Sequence, residues 1–245
     1  MEKRSLTQTC FEMLSKEVAL ERIPGFEDLE HLKLVNGEDG DSVRLYRGNK
    51  IEKVTLVEFM FGREGIPVPH KGSIQLGSEL FQIIPDFSCK LPIWGINWGI
   101  LEDGTYDFDT DFFFGFDLVS DYEFTMKYLD SFNVVYKKFQ NHPDFVRVHL
   151  DAMTTWARTY ISPIFIIART KAERVGTVFE VCAEFIKLWV RMWREAERKD
   201  DTFRQAQQKR IQSWYAGSRA SDRIGMMLRK IYGEETFSKF FKAIS

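Results

Sequence analysis

Residues 91–119 read LPIWGINWGILEDGTYDFDTDFFFGFDLV. Two runs rich in aromatic and β-branched residues flank EDGT (102–105), and an Asp-Gly pair between such runs signals a β-hairpin. Upstream, SIQLGSELFQIIP (73–85) has the same strand character. Before it, SVRLYRG (42–48) and KIEKVTLVEFMF (50–61) read as two more strands joined by a Gly-Asn turn, with a loop containing Pro67, Pro69, His70 and Gly72 after them. Strands that succeed one another through short connections pair antiparallel. Residues 42–119 therefore predict an antiparallel sheet.

The flanking segments are helical. Residues 5–21 form a first amphipathic stretch. Residues 121–139 carry apolar groups at Phe124, Met126, Leu129, Phe132, Val135 and Tyr136. Residues 171–197 repeat them at Val175, Val178, Phe179, Cys182, Phe185, Ile186, Trp189 and Trp193, the spacing of a helix with one buried stripe. Further helices are expected over 201–216, 222–232 and 235–243. Strands followed by helices make an α+β sandwich, a sheet covered by helices. No repeat, low-complexity tract or linker interrupts the chain, so residues 1–245 read as one domain.

Bulk composition excludes more than it selects. Lys+Arg 34 against Asp+Glu 36 leaves a net charge of −2, which gives no global attraction to nucleic acid. The balance is uneven: residues 190–245 hold thirteen Lys/Arg and seven Asp/Glu. That basic third is either a solvated helical face or a dock for an acidic partner. The 22 Phe, 8 Tyr and 6 Trp fit a bulky core, or a flat apolar cavity for a conjugated ligand. Cys10, Cys89 and Cys182 lie far apart without a C-x-x-C, which argues against disulfide, zinc and iron–sulfur frameworks. No apolar segment approaches the roughly 18 residues of a membrane span. The N-terminus, MEKRSLTQTCFEMLSKEVALE, lacks a hydrophobic signal region, so a cytoplasmic protein is expected.

Common catalytic signatures are missing: no P-loop, no G-x-G-x-x-G after a strand, no G-x-S-x-G and no H-E-x-x-H. The acids Asp103, Asp107, Asp109, Asp111 and Asp117 lack the glycine and terminal glutamate of a calcium loop, and read as solvent-facing groups of a hairpin. Near the C-terminus, SRASDRIGMMLRKIYGEETFSKFF (218–241) sets Asp222 between Arg219 and Arg223 at the start of an amphipathic run. A carboxyl there caps the helix, or faces a pocket and exchanges a proton with a ligand.

Four segments together resemble the ferredoxin-dependent bilin reductases. They are ASDRIGMMLRKIYGEE (220–235), KLPIWGINW (90–98), DFFFGFDLV (111–119) and ISPIFIIAR (161–169). The resemblance implies a three-layer α/β/α sandwich with a central antiparallel sheet, and biliverdin held between the sheet and the C-terminal helices. It also implies no bound metal, flavin or nicotinamide. Electrons would come singly from a reduced [2Fe–2S] ferredoxin, with protons supplied by the protein and bilin radicals as intermediates. On the matching positions, Asp222 would donate a proton and Arg169 would clamp a propionate. Arg223 would add a second basic group to the substrate site, and Asp117, which falls on a shared acid, would bind substrate as well. The basic C-terminal third would receive ferredoxin, and a heme oxygenase or a bilin-accepting protein would be a further partner.

The central-strand acid of many such enzymes is Asn97 here. Asparagine hydrogen-bonds a pyrrole or lactam but donates no proton at neutral pH. Glu58 and Glu79 stand as replacement acids if they point inward, and otherwise as surface residues. Trp94 and Trp98 share the face opposite Asn97 and are expected in the core. Two alternatives stay open: an enzyme resembling red chlorophyll catabolite reductase, and a bilin-binding carrier without catalysis.

Overall fold

The structure, a computed structural model, describes residues 5–33, 42–61, 65–68, 73–148, 155–221 and 223–244. Among them, nine strands form one antiparallel sheet. These are β1 (Leu20–Arg22), β2 (Ser42–Gly48), β3 (Ile51–Met60), β4 (Ile66–Val68), β5 (Ser73–Pro85), β6 (Ile93–Leu101), β7 (Thr105–Phe113), β8 (Val146–Arg147) and β9 (Ile166–Lys171). Their order is β1-β2-β3-β5-β6-β7-β9-β8, with β4 on the side of β5. The predicted meander is thus the body of the sheet. Its turns are the expected ones. Gly104 takes a φ of +79° in EDGT, a conformation that glycine adopts without strain. At the β2–β3 turn it is Lys50 that takes a φ of +57°. Its Nζ bonds the Trp193 and Ala196 carbonyls at 3.0 and 2.6 Å, which holds it there.

The helices are α1 (Leu6–Ser15), α2 (Tyr122–Phe124), α3 (Asp130–Phe139), α4 (Thr155–Tyr160), α5 (Val175–Glu195), α6 (Asp201–Ser221), α7 (Arg223–Tyr232) and α8 (Glu234–Ile244). A π turn, Thr125–Leu129, joins α2 to α3. One face of the sheet packs against α1, α3 and α5. Leu6, Cys10, Leu14, Phe132, Phe139, Val178, Cys182, Phe185 and Trp189 bury there against Phe81, Trp94, Trp98, Phe108 and Phe112. Each such side chain contributes about 1.5–3 kcal/mol on burial, so this layer dominates stability. Trp94 and Trp98 lie in it, opposite Asn97 as their alternation requires. The three cysteines are free and buried.

The other face is covered at two places. Tyr232 of α7 and Phe237 and Phe240 of α8 pack on Val43, Val57 and Phe59 of β2 and β3. Ile211 of α6, with Tyr160 and Trp214, packs on Ile84, Ile93 and Phe113. The molecule is therefore an α+β sandwich with an antiparallel middle layer. No described helix is long and apolar enough to cross a membrane.

Several elements differ from expectation. The first helix stops at Ser15 rather than running to residue 21, because Leu20–Arg22 pairs with β2 as an edge strand. Ile66–Val68 forms β4 where a loop was expected. Residues 166–171 form β9, not the approach to a helix beginning at 171. Their β-branched groups fill the open edge of β7, with Asp107 opposite Arg169, and α5 starts only at Val175.

Candidate functional site

The two covers on the second face leave a cavity of about 670 Å³ between them. That lies inside the range of about 300–1,000 Å³ usual for sites that enclose a drug-sized ligand. Its floor is the sheet and its roof comes from the C-terminal helices. Alternation along each strand decides which side chains reach it. Ser78, Leu80 and Gln82 come from β5; Gly95, Asn97 and Gly99 from β6; Asp107, Asp109, Asp111 and Phe113 from β7. Trp214 and Tyr215 of α6, Leu228 of α7 and Phe240, Phe241 and Ile244 of α8 close the top. An apolar lid thus faces a polar, partly side-chain-free floor, a shape suited to a flat conjugated molecule with polar edges.

A polar row crosses that floor. Register places Asn97 opposite Leu80 on β5 and opposite Asp109 on β7. Ser78 Oγ donates to Asn97 Oδ1 at 2.9 Å, and Asn97 Nδ2 donates to Asp109 Oδ2 at 3.5 Å. These bonds fix the amide orientation, so the second Nδ2 hydrogen is the one a ligand carbonyl oxygen or imine-type ring nitrogen can accept. Asp111, two residues along β7, accepts from Ser162 Oγ at 2.5 Å and from the Ser162 amide at 3.0 Å. Burial pushes its carboxyl up to about 7, although the Ser162 and Phe112 bonds pull the other way. In the lid, Trp214 stacks on Phe113 with ring centroids 4.5 Å apart. Its indole N–H is buried with no acceptor among the described residues. A ligand carbonyl would satisfy it.

A family model described as ferredoxin-dependent bilin reductase matches residues 80–244. The chain belongs to this family. The matched span contains β6, β7, β9 and all three roof helices, and with them most of the cavity lining, while Val57, Phe59, Phe61, Gln75 and Ser78 precede it. A solved structure of phytochromobilin synthase from tomato in complex with biliverdin is similar, with a TM-score of 0.76. The two share 15% identity, and the match covers 96% of this chain and 79% of that one. At that identity the likeness is one of fold. No curated protein sequence matches the chain.

The residues singled out in the sequence fall in different places in this bilin reductase fold. Asn97 lies at the centre of the cavity floor. Arg169 is not a cavity wall but joins it through Asp107, whose Oδ1 accepts from Arg169 Nε at 2.8 Å. That pair raises the guanidinium pKa further, so Arg169 is cationic throughout the working range. The donors it would present to a carboxylate are the two terminal nitrogens. Arg223 is the first residue of α7. Asp222 lies outside the described residues. Asp117 lies in the exposed segment after β7, away from the cavity, where its carboxylate accepts from the Val119 amide at 3.0 Å.

Two readings are corrected. Asp107, Asp109 and Asp111 were expected to face solvent, yet they line the cavity, because Phe108 and Phe112 take the opposite, core-facing positions. The signal was present as the period-two pattern DFDTDF; it gave the face but not the helices that cover it. Glu58 and Glu79 point neither into the cavity nor to open solvent. They sit opposite each other on β3 and β5, on the α1 side of the sheet. Glu79 accepts from the Leu6 amide at 2.7 Å and from Ser5 Oγ at 2.9 Å. Glu58 pairs with Arg44 at 3.0 Å. Both carboxylates therefore hold the start of α1.

Proposed function

We propose that this chain reduces a linear tetrapyrrole, biliverdin IXα or a dihydrobiliverdin, to a phytobilin with single electrons from reduced ferredoxin. The observation that carries this reading is the cavity itself: an aromatic roof of C-terminal helices above a floor of Ser78, Asn97, Asp109 and Asp111. The polar row suits the pyrrole nitrogens and lactam oxygens of a bilin. The roof excludes water from a reactive, partly reduced intermediate. Family membership supports the electron donor and the substrate class. On this reading the chain needs no metal, flavin or nicotinamide of its own, since the [2Fe–2S] partner supplies electrons and side chains supply protons.

In this account Asn97 orients the central rings by hydrogen bonding. Arg169 pairs with a propionate through its terminal nitrogens while Asp107 steadies Nε. Asp222 donates a proton and Arg223 adds a second basic group to the substrate site, the roles that the matching positions of the family imply. A carrier without catalysis was an alternative because Asn97 replaces an acid. The carboxyls on β7 favour the enzyme reading over it.

The test is an anaerobic assay of the purified protein with biliverdin, reduced ferredoxin and product identification. Conversion to a reduced bilin is expected. Binding of biliverdin with a stable spectrum and no conversion under reducing conditions would leave only the carrier, and turnover of a chlorophyll catabolite alone would move the substrate assignment.

A further inference from the structure

We propose that Asp111, oriented by Ser162, is a second proton-delivering carboxyl of this cavity, acting from β7 beside the strand that carries Asn97. The inference rests on the bilin reading above and assigns one of its catalytic groups. It starts from a chemical gap: Asn97 occupies the middle of the floor and has no acidic proton to give.

The geometry around Asp111 fills that gap. In register it stands opposite Gly95, which has no side chain. A Cβ added at Gly95 would meet its nearest atoms only at 3.7–3.9 Å, so the floor beside the carboxyl is open. Ile164 N–H donates to Ser162 Oγ at 3.2 Å, which turns the hydroxyl hydrogen towards Asp111. Oδ1 accepts both that hydroxyl and the Phe112 amide, the latter at 2.8 Å, while Oδ2 accepts the Ser162 amide. The proton of the neutral acid therefore resides on Oδ2, the less engaged oxygen. Burial sets the carboxyl near 7, and Asp109 pushes it in the same direction. Asp107 and Asp109 on its own strand, Arg169 held by Asp107 on β9, Tyr160 of α4 and Tyr215 of α6 are the ionisable groups facing the same region.

A one-electron iron–sulfur reductant adds an electron to the tetrapyrrole. The O–H bond of Asp111 breaks, and a C–H or N–H bond forms on the ligand. The carboxylate left behind keeps three hydrogen bonds and regains a proton from water before the next electron. Two such additions reduce one double bond. A group near 7 is suited to this cycle, because it is protonated often enough to donate and acidic enough to let go.

The experiment uses full-length wild type, Asp111→Asn and Ser162→Ala. Asparagine keeps the shape and the acceptor oxygen but has no acidic proton. Asp111→Asn should bind biliverdin as wild type does and lose turnover by roughly a hundredfold or more, the scale of general acid catalysis. Ser162→Ala removes a bond that favours the carboxylate, so the pH at which kcat falls on the alkaline side should move upward. Infrared spectra of the ligand-free proteins on either side of pH 7 should show a carboxylic C=O band lost on raising pH in wild type and absent in Asp111→Asn. Wild-type kcat in Asp111→Asn, loss of biliverdin binding in that variant, an unmoved profile in Ser162→Ala, or no such band would each overturn the assignment. Wild type that does not reduce biliverdin overturns the bilin reading and this step with it. Wild-type turnover beside a fully active Asp111→Asn overturns only this step.

Discussion

The carboxyl of Asp111 should leave a mark on stability whether or not a ligand is bound. Its pKa lies near 7 in the folded chain and near the ordinary 3.8 when unfolded. Between those values the native state holds a proton that the unfolded state has lost, so stability falls as pH rises through this window and levels off above 7. Asp111→Asn removes the effect. It should be more stable than wild type at pH 8 by on the order of 1–3 kcal/mol after allowance for solvent screening, and the two should converge towards pH 4. Denaturant unfolding at several pH values checks this; parallel curves would show that the carboxyl does not titrate there. At Arg169, replacement by Ala should weaken biliverdin binding roughly ten- to a hundredfold, the range for a charge-assisted pair of about 1.5–3 kcal/mol, and slow turnover less. An unchanged Kd would take Arg169 out of the site. At this scale the sequence was read unevenly. Asn97 and its face were legible from strand alternation. The β7 acids were not, because a period-two pattern tells which residues share a face and not whether a distant helix covers it.

Elements are held in place by polar groups that resemble surface residues in the sequence. Glu79 is the clearest case. Burial raises its pKa, and its bonds to the first turn of α1 and to Ser5 offset that effect. Directly opposed glutamates repel, but here Arg44 and the positive end of α1 compensate. Glu79→Ala should therefore lower stability by about 1–3 kcal/mol, the penalty for stranding buried amides, and do so without changing biliverdin affinity. Thermal melts and a binding titration separate the two; a loss of affinity equal to the loss of stability would mean that α1 is coupled to the cavity. The strands β2, β3, β5, β6 and β7 were legible because each is long, patterned and bounded by turn residues. β1 and β9 were not. Both are short, both adjoin helical periodicity, and both become strands only because a longer neighbour offers an open edge. The helices α6 to α8 were placed correctly as elements, yet nothing in their periodicity told which part of the sheet each would cover.

Across the whole molecule, charge and shape divide along the chain. The segment from 190 onwards carries thirteen Lys/Arg against seven Asp/Glu and includes the roof helices, while the chain as a whole is at −2. On the proposed reading, this basic third receives an acidic electron donor. Such an encounter is steered by screened charges, so the KM for ferredoxin should rise with salt while the Kd for biliverdin, bound in an apolar-roofed cavity, changes little. Steady-state assays over a salt series test this; a salt-insensitive KM for ferredoxin would remove the basic third as the docking face. The central claim is that an open-chain tetrapyrrole lies on the floor made by β5, β6 and β7. It is tested most directly by titrating wild type and Gly95→Trp with biliverdin and following the visible spectrum, with circular dichroism as the check on folding. Wild type should give a saturable one-to-one spectral change, and a folded Gly95→Trp, its floor filled by indole, should give none. No change in wild type, or the same change in both proteins, would contradict it.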